Sequence, residues 1–403
     1  MIHLDTPKKF APLVMQAREV ARQVFRPISR DYDRAEHARP VELDMVAAAI
    51  HGMNAALGEN GAGAAGVRRS GERNPNDNAN GSNLSTCLGI MELCWGDVGL
   101  LLAMPGQGLG NAAIASVANE EQLARFKGRW AAMAITEPGC GSDSAAIRTS
   151  ARLDGDHYVL NGEKIYVTSG DRADLVVVWA TLDRSLGRAA IKSFVVEKGT
   201  PGFELVRLEH KLGIRASDTA AFVLKDCRVP KANLLGDAEI QPEKSFAGVM
   251  QTFDNTRPLV AAMAVGLAQA CLDEITPLLA EAGLTLDADR PLHRQPSAVA
   301  ELVRLRADHA AARLLTLQAA WMADNGRPNS LEASMAKAKA GRTCVDIALK
   351  CVELAGAVGY SEVSMLEKWA RDAKILDIFE GTQQIQLLII ARRLLGKSSA
   401  ELK

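Results

Sequence analysis

From about residue 8 to 126, apolar positions recur at the spacing of one face of an α-helix. The stretch "LVMQAREVARQVFRPISRDYD" keeps that period until Pro27, whose ring and missing N–H restrict its continuation. "PVELDMVAAAIHGMNAAL" predicts a second helix, and "LSTCLGIMELCWGDVGLLLAMPGQGLGNAAI" predicts a third and a fourth around a Gly-rich bend. "NEEQLARFKG" adds another. Between the second and third, residues 58–83 are rich in Gly and Asn without periodicity, the composition of a surface loop.

The period changes over 127–236. "DHYVLNGEKIYVTSG" alternates around Asn161-Gly162, the strongest short signal for a hairpin. "ADLVVVWATL", "KSFVVEKG", "FELVRLE" and "AAFVLKDCRVP" read as further strands. No helical pattern interleaves them, which predicts an antiparallel barrel or sandwich and not a dinucleotide-binding unit. Helical periodicity then returns over 242–283, 297–325, 329–357, 364–378 and 383–396, enough for a four-helix bundle with additions. The predicted fold is α+β and multidomain: a helical domain over 1–126, a β domain over 127–236 and a helical bundle over 237–403.

Composition narrows the function. Lys plus Arg number 47 and Asp plus Glu 48, so no net field recruits nucleic acid or an anionic membrane. The N-terminal stretch lacks the pattern of a secretory signal, and no apolar run was expected to approach the ~18 residues of a membrane span. Seven scattered cysteines without C-x-x-C suggest reduced thiols and a cytoplasmic protein. Cys87/Cys94 and Cys344/Cys351, seven apart, suit a shared helical core better than a metal site. The dispersed histidines form no metal box, so no metal is expected.

Three stretches bear on chemistry. "MPGQGLGN" follows a helix and lacks the strand and the later acidic residue of a dinucleotide loop, so it reads as a bend. "MAITEPGCGSDSA" sets glycines and hydroxyls where backbone N–H groups can approach an anionic or ring ligand. By itself it is equally a turn between a helix and a strand. "ILDIFEGTQQIQLLIIARR" places Glu380 in an apolar run before Gly381. A carboxylate there is either solvated at a bend or held dry to move a proton.

In combination these stretches resemble the acyl-CoA dehydrogenases over nearly the whole chain. "AMAITEPGCGSD" and "NGEKIYVTSG" are similar to that family's two flavin-contacting loops. "QTFDNTRPLVAAMAVGLAQACLDE" resembles the first long helix of its C-terminal domain, and "RDAKILDIFEGTQQIQ" the segment carrying its catalytic base. The resemblance implies an α–β–α architecture, FAD as cofactor and conversion of an acyl-CoA to a trans-2-enoyl-CoA in β-oxidation. It makes Glu380 the base that removes the α-proton while a hydride leaves the β-carbon for the flavin. Burial would raise that carboxyl's basicity, with Ile378 and Phe379 supplying an apolar setting. The Glu380 N–H would then help hold the thioester carbonyl, Gly381 would permit close approach of substrate, and Thr382 would N-cap the last helix.

The remaining roles carry over residue by residue. Met133, Ala134, Ile135 and Thr136 would face the flavin ring, with Gly141 and Ser142 nearer the phosphates and the CoA. Tyr166, Val167 and Thr168 would flank the ring; Thr382 and Gln384 would meet the cofactor from the last helix. Asp254 and Arg257, three apart, match substrate-side positions, although a local ion pair beside Pro258 is the plain alternative.

Three departures stand out. Tyr166 occupies a position usually held by tryptophan, which implies altered flavin packing. Residues 279–298 lack the family's Arg-x-x-Phe-Gly, leaving Arg290 or Arg294 as candidate substitutes. Glu353-Leu354-Ala355-Gly356-Ala357 stands in place of Gln-x-x-Gly-Gly. The last two segments serve a neighbouring subunit's FAD in the family, so the resemblance implies a homotetramer or a hetero-oligomer with a related subunit. Its implied electron acceptor is an electron-transfer flavoprotein. The alternatives are an acyl-CoA oxidase, which usually carries a further C-terminal domain, and a non-catalytic subunit completing a sister's flavin site.

Overall fold

A computed structural model describes residues 6–48, 81–106, 109–240, 247–398 and 401, and for 247–255 the backbone alone. The first helix does not stop at Pro27. It runs as α1 (Ala11–Val20), a π-turn (Ala21–Phe25) and α2 (Arg26–Arg34). Pro27 falls in the first turn of α2, where its missing N–H costs nothing, and the wider π-turn before it absorbs the mismatch. A short helix, α3, covers 42–48. Of the expected loop 58–83, residues up to 80 lie outside the described ones, and Ser82 and Asn83 already belong to α4 (Ser82–Gly96).

The start of α4 is capped by a distant residue: Asp324 accepts hydrogen bonds from the N–H groups of Gly81, Asn83 and Leu84 at 2.8, 2.9 and 3.0 Å. Asp97 caps α5 (Val98–Ala103) by accepting from Leu100 N–H at 2.8 Å. Of the Gly-rich stretch, residues 104–106 follow α5 and 109–111 open α6 (Leu109–Val117), while 107–108 lie outside the described residues. α7 (Glu120–Arg125) opens on an Asn119/Gln122 capping box.

The strands are β1 (Ala131–Ala134), β2 (Ser150–Asp154), β3 (His157–Thr168), β4 (Leu175–Thr181), β5 (Ile191–Glu197), β6 (Phe203–Leu208) and β7 (Thr219–Pro230). They form one sheet in the order β1-β4-β2-β3-β7-β6, with β5 on the other edge of β4. The sheet is mixed, which corrects the antiparallel expectation. β2/β3, β3/β7, β4/β5 and β6/β7 are antiparallel, while β1 and β2 each run parallel to β4. Parallel pairing needs a crossover, and here the β2–β3 hairpin acts as the crossover between β1 and β4.

The hairpin turn is also not at Asn161-Gly162. The chain reverses at Gly155-Asp156, between the paired residues Asp154 and His157. Asn161-Gly162 makes a bulge inside the long strand β3. A Cβ on Gly162 would stand 2.4 Å from Thr149 Oγ1, and Asn161 exchanges hydrogen bonds with Asp226 across the ladder at 2.8 and 3.2 Å.

The C-terminal helices are α8 (Ala247–Glu281), α9 (Ser297–Asp324), α10 (Ser330–Ala355), α11 (Ala357–Tyr360), α12 (Leu366–Ala373) and α13 (Gln383–Leu395). α8 packs on α4, α9 and α10, and α13 on α10. A Cβ on Gly266 would come within 2.2 Å of Met91 O, so this glycine sets how closely α4 and α8 approach. Within α8, Thr256–Glu281 contains an 18-residue window with a mean hydropathy of 1.5, apolar and long enough to span a membrane. This corrects the expectation that no run reached that length. Its apolar window is 67% buried, and the helix serves as the central core element.

Helices from both ends of the chain share one core that includes Phe25, Leu88, Leu101, Leu267, Ile347 and Trp369. The sheet closes over separate cores around Leu160, Val178, Phe194 and Phe222 and around Val177, Trp179 and Val195. All seven cysteines are free and buried, with Cys87, Cys94, Cys344 and Cys351 inside the helical core.

Candidate active site

The loop between α12 and α13 carries Glu380. A 3-10 turn (Lys374–Asp377) ends α12's run, and Glu380 then takes a φ of 56°, in the left-handed region that non-glycine residues avoid. Gly381 follows at φ 90°, and Thr382 caps α13 by accepting from Ile385 N–H at 3.3 Å, as expected. Such strain persists only where surrounding contacts impose it. Two contacts do so here. Gln386 Nε2 donates to the carbonyls of Glu380 and Gly381, both at 3.1 Å, and Lys337 Nζ donates to Gly381 O at 2.7 Å.

The Glu380 carboxyl points toward α8 and α10. Thr256 Oγ1 donates to Glu380 Oε2 at 2.9 Å. The residue as a whole is half-buried, but its carboxyl is desolvated, and burial raises its pKa above the ordinary value. The Thr256 hydrogen bond and the positive charges of Arg257 and Lys337 offset part of that rise. The apolar setting does not come from Ile378, which is 45% exposed; Phe379 alone of the two packs on the helical core. Arg257 is 3% exposed and reaches Ser334 Oγ on α10 at 3.5 Å. Asp254 lies on the described backbone of α8, but its side chain falls outside the described residues.

A Cβ on Gly381 would meet Gln386 Nε2 at 2.5 Å, on a backbone already at positive φ. Gly381→Ala should therefore cost about 1–3 kcal/mol and displace Glu380. A chemical-denaturation midpoint together with turnover would show both effects.

The second group lies on the sheet. The strand β1 leads into Ile135 and Thr136, and Ile165 N–H donates to Thr136 O at 2.9 Å, joining this loop to β3. Beneath it sits an ion pair that the sequence did not single out. Lys164, wholly buried, donates to Glu137 Oε1 at 2.8 Å and to Ile135 O at 3.0 Å. Glu137 also accepts from the N–H groups of Arg148 and Thr149 at 2.7 and 3.0 Å. Burial works against the Glu137 charge, yet Lys164 and these donors hold its pKa below the usual range. Glu137→Gln should lower stability by about 1–3 kcal/mol and loosen the 133–136 backbone. Thermal melts and titration of the apoprotein with FAD would register the two effects.

One residue along from the Lys164–Glu137 clamp, β3 bulges between Lys164 and Val167, which puts Tyr166 at φ 57° with its side chain 61% exposed. Val167 turns inward and is wholly buried, so it presents no surface to a ligand and does not flank the ring as expected. Ala134 is likewise buried, while Thr136 and Thr168 are half-buried. Gly141 and Ser142 are exposed; a Cβ on Gly141 would meet nothing nearer than Thr136 Cγ2 at 3.9 Å. An exposed aromatic platform, flanking hydroxyls and open space at the glycines fit a flat ring carrying a phosphate tail. Gln384 is exposed at the start of α13, and buried Gln386 is the glutamine that grips the base loop.

The histidines meet once among the described residues, where Glu36, His37 and His210 bring possible ligand atoms within 4.8 Å of one another. Glu36 is there already engaged by His210 Nδ1 and Lys211 N–H, both at 2.9 Å.

Two family models match: the acyl-CoA dehydrogenase middle domain over residues 132–227 and the acyl-CoA dehydrogenase C-terminal domain over residues 246–395. The short-chain-specific acyl-CoA dehydrogenase of Clostridium acetobutylicum is 37% identical over 266 residues, covering 65% of this chain and 68% of that protein. The chain belongs to the acyl-CoA dehydrogenase family. The mitochondrial short-chain-specific acyl-CoA dehydrogenase of Rattus norvegicus is 41% identical over 262 residues, 65% of this chain but only 62% of the rat protein's length. Butyryl-CoA dehydrogenase from Megasphaera elsdenii superposes with a TM-score of 0.81 at 28% identity, over 98% of this chain and 100% of that structure. Within the acyl-CoA dehydrogenase middle-domain match lie 133–136, the Glu137–Lys164 clamp and Tyr166; the C-terminal match contains Arg257, Lys337 and Glu380.

Proposed function

We propose that the chain is an FAD-dependent acyl-CoA dehydrogenase in which Glu380 is the base. The observation that carries this reading is a carboxyl desolvated between α8 and α10 on a backbone held at positive φ. FAD, when bound, supplies the acceptor for the hydride that leaves the substrate's β-carbon. Glu380 takes the α-proton on its carboxylate, so the C–H electron pair becomes the new α,β double bond. The Glu380 N–H is offered to the thioester carbonyl, whose charge grows as the proton leaves. Met133, Ile135, Thr136, Tyr166 and Thr168 line the ring, with buried Ala134 behind them; Gly141 and Ser142 face the phosphates; Asp254 and Arg257 lie on the substrate side.

The relatives' short-chain specificity makes butyryl-CoA the first thioester to test. An electron-transfer flavoprotein is the proposed acceptor and the cytoplasm the proposed location. A homotetramer or a mixed assembly with a related subunit is proposed, the mixed form because the two segments that serve a neighbour's FAD in the family lack its motifs here. Arg290 pairs with Asp287 at 3.0 Å, and Glu353 with Lys350 at 2.6 Å on the outside of α10.

FAD per chain for the protein expressed alone, followed by anaerobic addition of acyl-CoAs, tests these proposals. Bleaching by a thioester supports dehydrogenation, and hydrogen peroxide formed in air would instead indicate an oxidase. A full complement of FAD in the isolated chain would overturn the mixed assembly, and loaded FAD that no acyl-CoA reduces would overturn the activity.

A further inference from the structure

The base loop is held by a buried cation that, among the described residues, hydrogen-bonds to no carboxylate. Lys337 lies mid-way along α10 with no exposed surface, and its ammonium donates to Gly381 O at 2.7 Å. A buried ammonium without a close counter-ion is costly, and a lysine can usually reach solvent to avoid it. Here the surroundings prevent that. We propose that Lys337 is a positioning residue for the base: its ammonium fixes the Gly381 carbonyl, and its charge holds Glu380 ready as a carboxylate. The proposal rests on Glu380 being the base.

Among the described residues the charges around the pair are few. Glu380 faces Thr256 and Arg257 from α8 and Lys337 from α10. Lys337 faces Glu380, Asp377 and Arg257. Asp377 is shared with Lys374 at 2.9 Å and Arg342 at 4.0 Å. Desolvation lowers the Lys337 pKa to about 8, against the pull of Asp377 and Glu380, so at neutral pH most of the protein keeps this charge. Gln386 also reaches Gly381 O, so the loop keeps one donor if Lys337 is neutralised. Lys337 therefore has two separable effects, one geometric and one electrostatic.

Lys337→Met removes both effects, and Lys337→Gln removes the charge while keeping an N–H donor. The first readout is the carboxyl infrared band of Glu380, taken on the FAD-loaded protein as a difference against Glu380→Gln and followed with pH. Both variants should titrate Glu380 about one pH unit higher than the wild type. The acid limb of kcat/KM should move by the same amount, about a tenfold loss per unit below it, while the plateau at high pH falls less in Lys337→Gln. Titrations that coincide with the wild type would overturn the proposal, as would failure of both neutral variants to fold while Lys337→Arg folds. The infrared titration needs no turnover. A wild type that never reduces FAD would sink the dehydrogenase reading, whereas unchanged titrations in an active enzyme would sink only the role of Lys337.

Discussion

Glu380→Gln should bind FAD and acyl-CoA like the wild type and lose turnover by a factor on the order of 10²–10⁴ or more. Glutamine keeps the shape and can still accept from the Thr256 hydroxyl, which is 2.9 Å from Oε2 in the native loop. It cannot accept the α-proton. Loss of less than about tenfold in turnover would remove Glu380 from the role of base. Stability should move in the opposite direction. The folded pKa of Glu380 lies above its unfolded value, so the native state holds this proton more tightly. That contribution is present below the unfolded pKa and is lost as pH rises through the folded one. Above the folded pKa the ionised carboxyl is therefore a liability to the fold, and there the variant's melting temperature should equal or exceed that of the wild type. A lower melting temperature would mean that the carboxylate stabilises the loop and is not held there at a cost.

Lys368→Met should destabilise the fold by about 3–5 kcal/mol, a large part of the ~5–15 kcal/mol typical of a native protein. Lys368 is 2% exposed on α12 and donates to Asp97 and Asp372, both at 2.6 Å, which are themselves 1% and 0% exposed. Ser29 donates to Asp97 from α2, and Ile214 N–H donates to Asp372 from the segment joining β6 to β7. One ammonium thus bridges two buried carboxyl groups and links both helical regions to the sheet. Burial works against the Lys368 charge, but Asp372 and Asp97 outweigh it and raise its pKa. For a lysine raised in the folded state, the contribution is complete below the unfolded value of about 10.4 and is lost only as pH climbs above it. The lysine's own titration should accordingly leave the deficit of Lys368→Met unchanged from pH 6 to 9 in denaturant melts, whereas the stranded Asp372 carboxyl, already pushed up by burial, should deepen it as pH rises. Adding Asp97→Asn and Asp372→Asn should recover much of it, because the harm comes from stranded charge and not from lost volume. A deficit below about 1 kcal/mol would show that water reaches the cluster.

Much of the fold was legible from periodicity because side-chain burial repeats with backbone geometry. The expected helices 297–325, 329–357 and 383–396 appear as Ser297–Asp324, Ser330–Ala355 and Gln383–Leu395. The strands in "ADLVVVWATL" and "FELVRLE" appear where alternation put them. What misled was local chemistry read without its partner. Asn161-Gly162 has the composition of a tight turn, but Gly162 is needed because Thr149 presses against it. Pro27 has the composition of a stop, but a π-turn carries the helix past it.

The site divides along the same line. The residues of the proposed base and its cap, Glu380, Gly381 and Thr382, are contiguous, so a short motif picks them out from sequence alone. The groups that surround the Glu380 carboxyl and hold its loop are not contiguous: Thr256 lies 124 residues before it, Lys337 reaches Gly381 across 44, and only Gln386 is near. Lys164 and Glu137, 27 residues apart, read as ordinary loop and strand charges until the fold buries them together. By itself the sequence determined the order of elements, the family motifs and the residue proposed as the base. Tertiary structure alone decided which charges lost their water and which partners they found, because desolvation depends on everything that packs around a group and not on its neighbours along the chain.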